Sequence, residues 1–433
     1  MTKVITAPKK FECEDKLGLF GDENDYELLC DWDCDFYAPT PMGEENSEAN
    51  IIFKFRKNWF TQDQQDKAYN GLREAAGATE NRGLAAGSEK TVALGTRDWV
   101  TNYHNALIQY FMSPSATLDG SDPVEAIQLE YKGREKIADD SRGKVWLAQK
   151  VAEEDFVFDN WVEEIRGLPR EEMVKEATRV NDKLTSTTSY ANSVFSGIAG
   201  FFDRYPRIPF GRPTTFTRDN PEKFEQGFPF LQQLSKGFGE LLPVRYGKQQ
   251  EACNKLDNKF IIPGTVFTTA TVNKTFRTAY HRDMGDLNEG FSNLTVVSNN
   301  GKYSGGYLIL PEYKVAINIR PGDLLLINNH DGIHGNTPMV MEDESAERIS
   351  FVCYFREKML ELGSWDYERA REDYVINRRT NKEHVLQRPL WNGISPGMWD
   401  EKEWYDFLDD KLGKDIVSKY HPDSEASSLA DFF

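Results

Sequence analysis

The sequence has few cysteines and no long hydrophobic run, and each shortage excludes a class of protein. Its 433 residues include five cysteines, and no two of them form a CxxC pair. This pattern argues against both a disulfide scaffold and a cysteine zinc site and is typical of a reducing compartment. No apolar run approaches the ~18 residues that a membrane span needs, and residues 1–16 lack the apolar core of a signal peptide. We therefore expect an intracellular protein without a membrane anchor.

Positive charge is also scarce, but the deficit lies mainly at the two ends of the chain. The net charge is −18, with 13 acidic residues and one lysine in residues 11–50. The central part is almost neutral, so the overall charge does not exclude a nucleic-acid partner. We interpret residues 1–50 as an acidic, solvated and mobile extension and residues 361–433 as a helical, acidic tail. A sharper alternative is an acidic arm that competes with phosphate for a basic groove.

The periodicity of the apolar residues divides the remaining part, residues 51–360, into an outer and an inner portion. Residues 60–195 have largely helical spacing and predict a helical outer part. From about residue 262 the period changes to two, in the runs TVFTTATV, GGYLILP, KVAINI, GDLLLIN and RISFVCYF. Short β-branched or aromatic runs between turns predict an antiparallel sandwich or barrel. The expected fold class is α+β, with a double-stranded β-helix (jelly-roll) core over about 196–358.

Histidine is rare as well, yet three of the six histidines fall in this β region. His281 and Asp283 form a His-x-Asp turn straight after a strand-like run, where side chains two apart share a face. A histidine after a later strand completes the sequence form of the 2-His-1-carboxylate triad, which holds Fe(II) and leaves coordination positions open. A lone His-x-Asp has little specificity, and a surface turn with unrelated histidines is the alternative. The order of the elements gives the pattern its weight.

Two histidines compete for the third ligand position. His334 is followed by GNTP, a turn that can fix the imidazole, and we prefer it as the ligand. His330 lies closer to the end of the preceding strand, and we assign it a supporting or substrate-binding role. Arg348 begins the next strand, from which its planar guanidinium can bind the far carboxylate of 2-oxoglutarate.

Three segments resemble the TET/JBP group of iron- and 2-oxoglutarate-dependent dioxygenases. They are TVNKTFRTAYHRDMGDLNEGFSNLTVV, GGYLILPEYKVAINIRPGDLLLINNHDGIHGNTP and ERISFVCYFRE. Members of this group hydroxylate the 5-methyl group of pyrimidines in DNA, and the likeness is greatest to the thymine hydroxylases of base J synthesis. It is dense over about 196–358, and the NRGLAAG loop (81–87) and the IIFKF strand resemble the outer part more weakly. The cysteine-rich zinc region of animal TET proteins is missing, so we expect no zinc.

The resemblance implies an oxygenase domain over residues 51–360 that uses Fe(II), 2-oxoglutarate and O2. It places Fe(II) on His281, Asp283 and His334 and 2-oxoglutarate on Arg348. The implied substrate is thymine or 5-methylcytosine in DNA, with the base flipped out of the helix.

Two further residues are candidates for substrate contacts. Asp286 occupies a position where the thymine enzymes carry aspartate and TET-like cytosine enzymes usually carry asparagine. A carboxylate only accepts hydrogen bonds, so it favours the N3–H of thymine, although Asp286 could equally cap the turn. Arg212 belongs to an arginine- and aromatic-rich segment (201–224) that could follow a phosphate backbone and stack on bases. Arginines in a proline-rich loop are as often partners of internal ion pairs.

Two rival functions stay open on the sequence alone. The first keeps the chemistry and changes the substrate, as a 2-oxoglutarate-dependent hydroxylase of a protein or a small molecule. The second leaves catalysis altogether, as a jelly-roll binding protein with a vestigial site. Retention of all three candidate ligands together with Arg348 argues against the second rival.

Overall fold

A computed structural model gives the fold of the chain. It describes residues 2–41, 44–88, 90–94, 107–108, 110–112, 158–190, 193–204, 208–283, 285–380, 401–413 and 419–420. The chain divides into two compact units. The first unit comprises residues 1–90, 190–204 and 211–368, and the second comprises residues 91–189, 205–210 and 369–433.

The first unit is built on strands that are mostly short, as the period-two runs predict. The strands of the described chain, in order, are β1 (Lys3–Thr6), β2 (Leu28–Cys30), β3 (Cys34–Tyr37), β4 (Ile51–Arg56), β5 (Thr79–Asn81), β6 (Lys90–Leu94), β7 (Ser186–Tyr190), β8 (Ser193–Phe202), β9 (Arg212–Pro213), β10 (Thr269–Lys274), β11 (Ser292–Ser298), β12 (Tyr303–Gly305), β13 (Leu308–Leu310), β14 (Val315–Ile317), β15 (Leu324–Ile327), β16 (Gly335–Asn336), β17 (Met339–Met341) and β18 (Arg348–Tyr354). Strands β6 and β7 pair with each other and lie mainly in the second unit. Each of the five period-two runs contains or overlaps one of these strands.

Two sheets organise the first unit. The larger has the order β1-β3-β4-β15-β11-β18-β10-β8-β5, and β9 pairs with β8; the smaller has the order β16-β13-β14-β2. Buried side chains of both sheets form one apolar cluster, among them Phe53 and Val296 of the larger sheet and Leu308 and Val315 of the smaller. Alternation along β18 sends Ile349 to the opposite face. The period of two therefore produces a two-sided large sheet.

The other face of the large sheet is covered by helices. They are α1 (Gln62–Leu72), then, after α2 and α3 of the second unit, α4 (Thr215–Asp219), α5 (Pro221–Gln226), α6 (Phe228–Leu241) and α7 (Pro243–Lys255). Pro221 occupies the first turn of α5, where the fixed φ of proline suits a helix start. Gly227 separates α5 from α6, and Pro229 lies in the first turn of α6, where the backbone donor that proline lacks has no partner within the helix.

The first forty residues differ from the sequence prediction. We expected a mobile extension, but β1 pairs with β3, β3 pairs antiparallel with β4, and β2 pairs parallel with β14. Their acidic residues have basic partners elsewhere in the chain: the Asp35 carboxylate lies 3.1 Å from the Lys54 Nζ and 2.7 Å from Arg56 Nη2. Composition alone suggested solvation because these partners are distant in the sequence.

The second unit is described in part. It contains α2 (Phe158–Arg166) and α3 (Arg170–Thr185), which bear out the helical spacing around Met173 and Ala177, both buried. Most of α8 (Trp365–Thr380) and all of α9 (Glu401–Leu412) also belong to it. Much of the predicted helical outer part and of the C-terminal tail lies outside the described residues. Among the described helices, none is long and apolar enough to cross a membrane.

Candidate active site and metal centre

A cavity of about 470 Å³ opens into the first unit. Strands β10 and β18 supply one wall, because their alternate side chains Thr271 and Asn273, and Ser350, Val352 and Tyr354, face it. The remaining lining comes mainly from loops and from apolar side chains, including Leu17, Leu84, Phe276, Leu294, Leu308 and Ile319. His281, Asp283, His334, Asp286 and Arg348 all line this one cavity, so the structure brings five of the seven predicted site residues together.

His281, Asp283 and His334 form a compact group of metal-binding type. Within the described residues they are the group whose ligand atoms, one from each side chain, all lie within 4.8 Å of one another. Asp283 Oδ1 is 3.5 Å from His281 Nε2, and Asp283 Oδ2 is 3.6 Å from His334 Nε2. The imidazole ring centroids are 4.3 Å apart. The three donor atoms therefore point to one small volume.

The backbone fixes the two histidines against each other. His281 and His334 pair as an antiparallel bridge, with each N–H donating to the other carbonyl at 3.0 Å. The Nδ1–H of His281 donates to Ala279 O at 2.8 Å, and that of His334 donates to Gly332 O at 3.0 Å. Such bonds fix the tautomer and leave each Nε2 lone pair free for a metal ion.

Asp283 is held by its neighbour Asn329. Its backbone N–H donates to Asn329 O at 3.0 Å, and Asn329 Nδ2 donates to Asp283 Oδ2 at 3.0 Å. Burial alone would raise the pKa of the Asp283 carboxyl, but the two imidazoles hold that pKa well below its ordinary value. Burial alone would lower the pKa of the His281 imidazole, but the neighbouring Asp283 carboxylate outweighs burial and raises that pKa. The carboxylate is therefore kept ionised, the form that a metal ion requires.

The donor set fits Fe(II). Two imidazole nitrogens and one carboxylate oxygen on one side of a cavity are the ligands of non-haem iron oxygenases, and the open side leaves room for co-substrate and oxygen. No thiol takes part, because all five cysteines are buried elsewhere and none lines the cavity. The residues present therefore fit the iron that the sequence pattern predicts.

Arg348 is the buried cation of the cavity. It begins β18, pairs in register with Ser298 of β11 and is 3% exposed. Its guanidinium carbon lies 6.0 Å from the centre of the Tyr303 ring, and burial lowers the pKa of Arg348 without discharging a guanidinium. Among the described residues, its Nε has no hydrogen-bond partner. A buried donor without a partner is costly, which favours an anionic ligand at this position.

Asp286 lies deeper than a turn cap requires. It is 5% exposed, lines the cavity and accepts a hydrogen bond from Ser292 Oγ through Oδ2. Burial, followed by the charge of Asp283, raises the pKa of the Asp286 carboxyl well above its ordinary value. Its backbone bridges to Arg356, whose side chain also lines the cavity and pairs with Asp203 Oδ1.

Two predicted substrate residues lie away from the cavity lining. His330 is not part of that lining, and its Nε2 is 4.0 Å from the neighbouring Asp331 carboxylate. Arg212 is not part of it either: its Nη1 donates to Asp203 O at 2.9 Å, and its guanidinium stacks over the Phe202 ring.

The other arginines of the arginine-rich segment behave similarly. Arg204 pairs with the buried Glu368, and Arg218 pairs with its neighbour Asp219. Arg207 lies outside the described residues. Arg204 is thus the partner of a buried carboxylate, whereas the Arg218–Asp219 pair is exposed.

Sequence reasoning missed the residues that hold the ligands. Asn329, Glu312 and Arg282 all contact the metal-binding turns. Arg82 and Asn273 line the cavity, and Ser196 joins them by accepting a hydrogen bond from Arg82 and donating one to Asn273. Asn329 directly precedes His330, one of the two candidates for the third ligand position, so its place in the sequence carried a signal. The remaining contacts join segments that are far apart in the sequence.

The oxygenase class follows from this geometry and from a family match. Residues 197–357 match the family Tet_JBP, described as the oxygenase domain of the 2OGFeDO superfamily. This range contains the triad, Arg348 and Asp286. Over residues 197–357, which are less than half of the chain, the sequence therefore matches an iron- and 2-oxoglutarate-dependent oxygenase domain.

Similar proteins agree with this class over part of their length. The chain is 34% identical over 197 residues to the bifunctional helicase and thymine dioxygenase JBP2 of Leishmania braziliensis, covering 44% of this chain and 17% of that protein. It is 37% identical over 166 residues to the thymine dioxygenase JBP1 of Trypanosoma brucei brucei, covering 37% and 19%. The chain thus spans about a fifth of the length of these relatives.

A solved structure of NgTET1 in complex with 5mC DNA aligns with 39% of this chain and 64% of its own. The sequence identity is 17% and the TM-score is 0.33. An alignment at this level does not establish a shared fold.

Proposed function

We propose that the chain hydroxylates the 5-methyl group of a pyrimidine, thymine or 5-methylcytosine, in DNA. The observation that carries the proposal is the joint lining of one cavity by the His281–Asp283–His334 group and the buried Arg348. A metal site alone would suit many functions. A metal site that shares a cavity with a buried arginine whose Nε is unpaired among the described residues suits an oxygenase with a dicarboxylate co-substrate.

The residues divide the work between them. His281, Asp283 and His334 would hold Fe(II), which when bound supplies the oxidation of the methyl group coupled to decarboxylation of 2-oxoglutarate. Arg348 would bind the far carboxylate of 2-oxoglutarate through its planar fork and so fix the orientation of the keto acid. Apolar side chains of Leu294 and Leu308 line the same cavity and exclude water from the reacting groups.

The identity of the substrate rests on the relatives and on the cavity. The relatives are named thymine dioxygenases. Asp286 and Arg356 give the cavity an acceptor and a donor, the polar groups that the edge of a pyrimidine base needs. A base in a duplex reaches such a cavity only after it has been flipped out of the stack.

We also propose that the two facing sheets are a double-stranded β-helix. The apolar cluster between them and the triad at the end of the smaller sheet support this assignment. The oxygenase domain proposed over residues 51–360 would then gain the N-terminal strands that pair with it, while residues 91–189 and most of the helical tail at 361–433 belong to the second unit.

Mass spectrometry of nucleosides tests the proposed function. The full chain is incubated with Fe(II), 2-oxoglutarate and DNA that contains either thymine alone or 5-methylcytosine as well. We expect a 5-hydroxymethyl product that requires 2-oxoglutarate and disappears in His281→Ala. Absence of product from both DNA substrates, in a protein that binds Fe(II) and decarboxylates 2-oxoglutarate slowly without substrate, would contradict DNA as the substrate.

A second candidate is a 2-oxoglutarate-dependent hydroxylase of a protein or small molecule. The pairing of Arg204 with the buried Glu368 favours it, because this side chain is engaged within the chain rather than forming part of a basic track. Measurement of DNA binding at low salt separates the two candidates, since a phosphate-binding surface gives a strongly salt-dependent affinity.

A further inference from the structure

A network of ion pairs joins the two turns that carry the metal ligands. Its members are Arg282, Glu312, Glu14 and Lys10, and we call it the ligand-turn network. Arg282 lies between His281 and Asp283 in the chain, and Glu312 lies in a single 3-10 turn between β13 and β14. Neither side chain is a ligand, and neither is explained by the co-substrate or the base.

Arg282 reaches from the first ligand turn to the second. Its Nε donates to Asp331 O at 2.9 Å, three residues before His334. Its terminal nitrogens pair with both carboxylate oxygens of Glu14, with Nη1 and Oε2 3.0 Å apart. A guanidinium that spans two backbone segments restricts their relative movement, because its fork is planar and its donors have fixed directions.

Glu312 binds the backbone of the second turn. It is 4% exposed, and its Oε2 accepts the N–H of Ile333, the residue before His334, at 2.9 Å. Its Oε1 lies 3.8 Å from Arg282 Nη2 and 3.1 Å from Lys10 Nζ. One buried carboxylate therefore contacts the residue that follows His281 and the residue that precedes His334.

The position of the His334 imidazole depends on this turn. Its Nδ1–H donates to Gly332 O, so a shift of the peptides at 331–333 would turn the ring and move Nε2. His281 and His334 come from turns more than fifty residues apart, and a metal site tolerates little error in their separation.

We propose that Arg282 and Glu312 are positioning residues of the metal centre. They keep the turn of His281 and Asp283 in register with the turn of His334. Lys10 and Glu14 extend the network into the N-terminal segment, so this segment is part of the active-site architecture. The inference rests on the metal centre of the proposed function and not on its substrate base.

Titration of the full chain with Co(II) under anaerobic conditions tests the proposal without catalysis. Loss of a group that orients metal ligands typically costs about 10- to 100-fold in metal affinity. We expect Glu312→Gln and Arg282→Lys to weaken Co(II) binding by about tenfold or more and to change the visible absorption of the bound ion. Glu14→Gln should have a smaller effect, about threefold or less, because Glu14 is 60% exposed and solvent screens its charge.

Glu368→Gln is the matched control. Glu368 is also a buried carboxylate that pairs with one arginine, Arg204, and accepts backbone N–H groups, those of Gly211 and Gly363. It does not line the cavity, so its variant should lose stability while Co(II) affinity stays unchanged.

Two results would overturn the proposal. One is unchanged Co(II) affinity in both Glu312→Gln and Arg282→Lys. The other is an equal loss of affinity in Glu368→Gln, which would assign the effect to general destabilisation. If Glu312→Gln fails to fold, Arg282→Lys decides on its own. Because no DNA is present, a weakened metal site with an inactive wild-type protein on DNA would refute the proposed substrate and leave this inference standing.

Discussion

The metal-binding group and Arg348 line the same cavity but are prepared for their ligands in opposite ways, and we call them its metal end and its arginine end. At the metal end, both histidine Nδ1 atoms and Asp283 already have partners within the chain, and only the ligand atoms face the centre. At the other end, Arg348 is buried with its Nε unpaired among the described residues. The chain therefore fixes the metal end before anything binds, whereas the arginine end gains its missing partner from a ligand. We therefore expect substitution of a metal ligand to abolish activity, and substitution of Arg348 to weaken co-substrate binding without abolishing it.

The largest effect should follow the loss of a metal ligand. His281→Ala, Asp283→Ala or His334→Ala removes one of three protein donors, so we expect iron retention and turnover to be abolished. His330→Ala is the control, because His330 lies outside the cavity lining, and it should keep its iron. Metal analysis after gel filtration measures both. Iron retained by His334→Ala and lost by His330→Ala would exchange the roles of these two residues.

An intermediate effect is expected at the arginine end. Arg348→Lys keeps the charge but loses the bidentate fork, so the 2-oxoglutarate concentration for half-maximal rate should rise by tenfold or more, on the order of a lost charge-assisted hydrogen bond. Iron content should not change. An unchanged requirement for 2-oxoglutarate would move the co-substrate contact to another cation of the cavity, with Arg356 the next candidate.

The smallest effect concerns the choice of base. Asp286→Asn introduces an N–H donor that can face cytosine N3 while the amide oxygen accepts from the cytosine amino group. One matched hydrogen bond in a buried pocket is worth ~1–3 kcal/mol, or roughly 5- to 150-fold. In competition on mixed oligonucleotides, the ratio of 5-methylcytosine to thymine hydroxylation should rise by roughly fivefold or more. A constant ratio would leave Asp286 a structural role with Ser292.

The difference between the two ends also marks what the sequence could predict. The His-x-Asp turn, His334 and Arg348 each follow or begin a strand with clear period two, and local patterns of this kind are readable without a structure. The partners that hold them are not local. Asn329 contacts Asp283, and Glu312 contacts Ile333, through backbone turns that no residue pattern specifies.

The N-terminal segment shows the same limit at the level of the fold. Its density of acidic residues predicted solvation because charge was counted along the chain. The carboxylates of Asp35, Glu14 and Glu27 instead pair with Arg56, Arg282 and Lys314. Composition describes a segment by itself, whereas these ion pairs depend on residues up to several hundred positions away.

The parallel pairing of β2 with β14 has a consequence for synthesis of the protein. Leu28 meets Val315, so the smaller sheet cannot close until about three quarters of the chain has left the ribosome. Until then the apolar faces of β3 and β4, and the edge of β4 that pairs with β15, remain without their final neighbours. Long-range pairing of this kind slows folding and leaves strand edges open to other chains. The same connection that links the N-terminal segment to the smaller sheet thus delays closure of that sheet until late in synthesis.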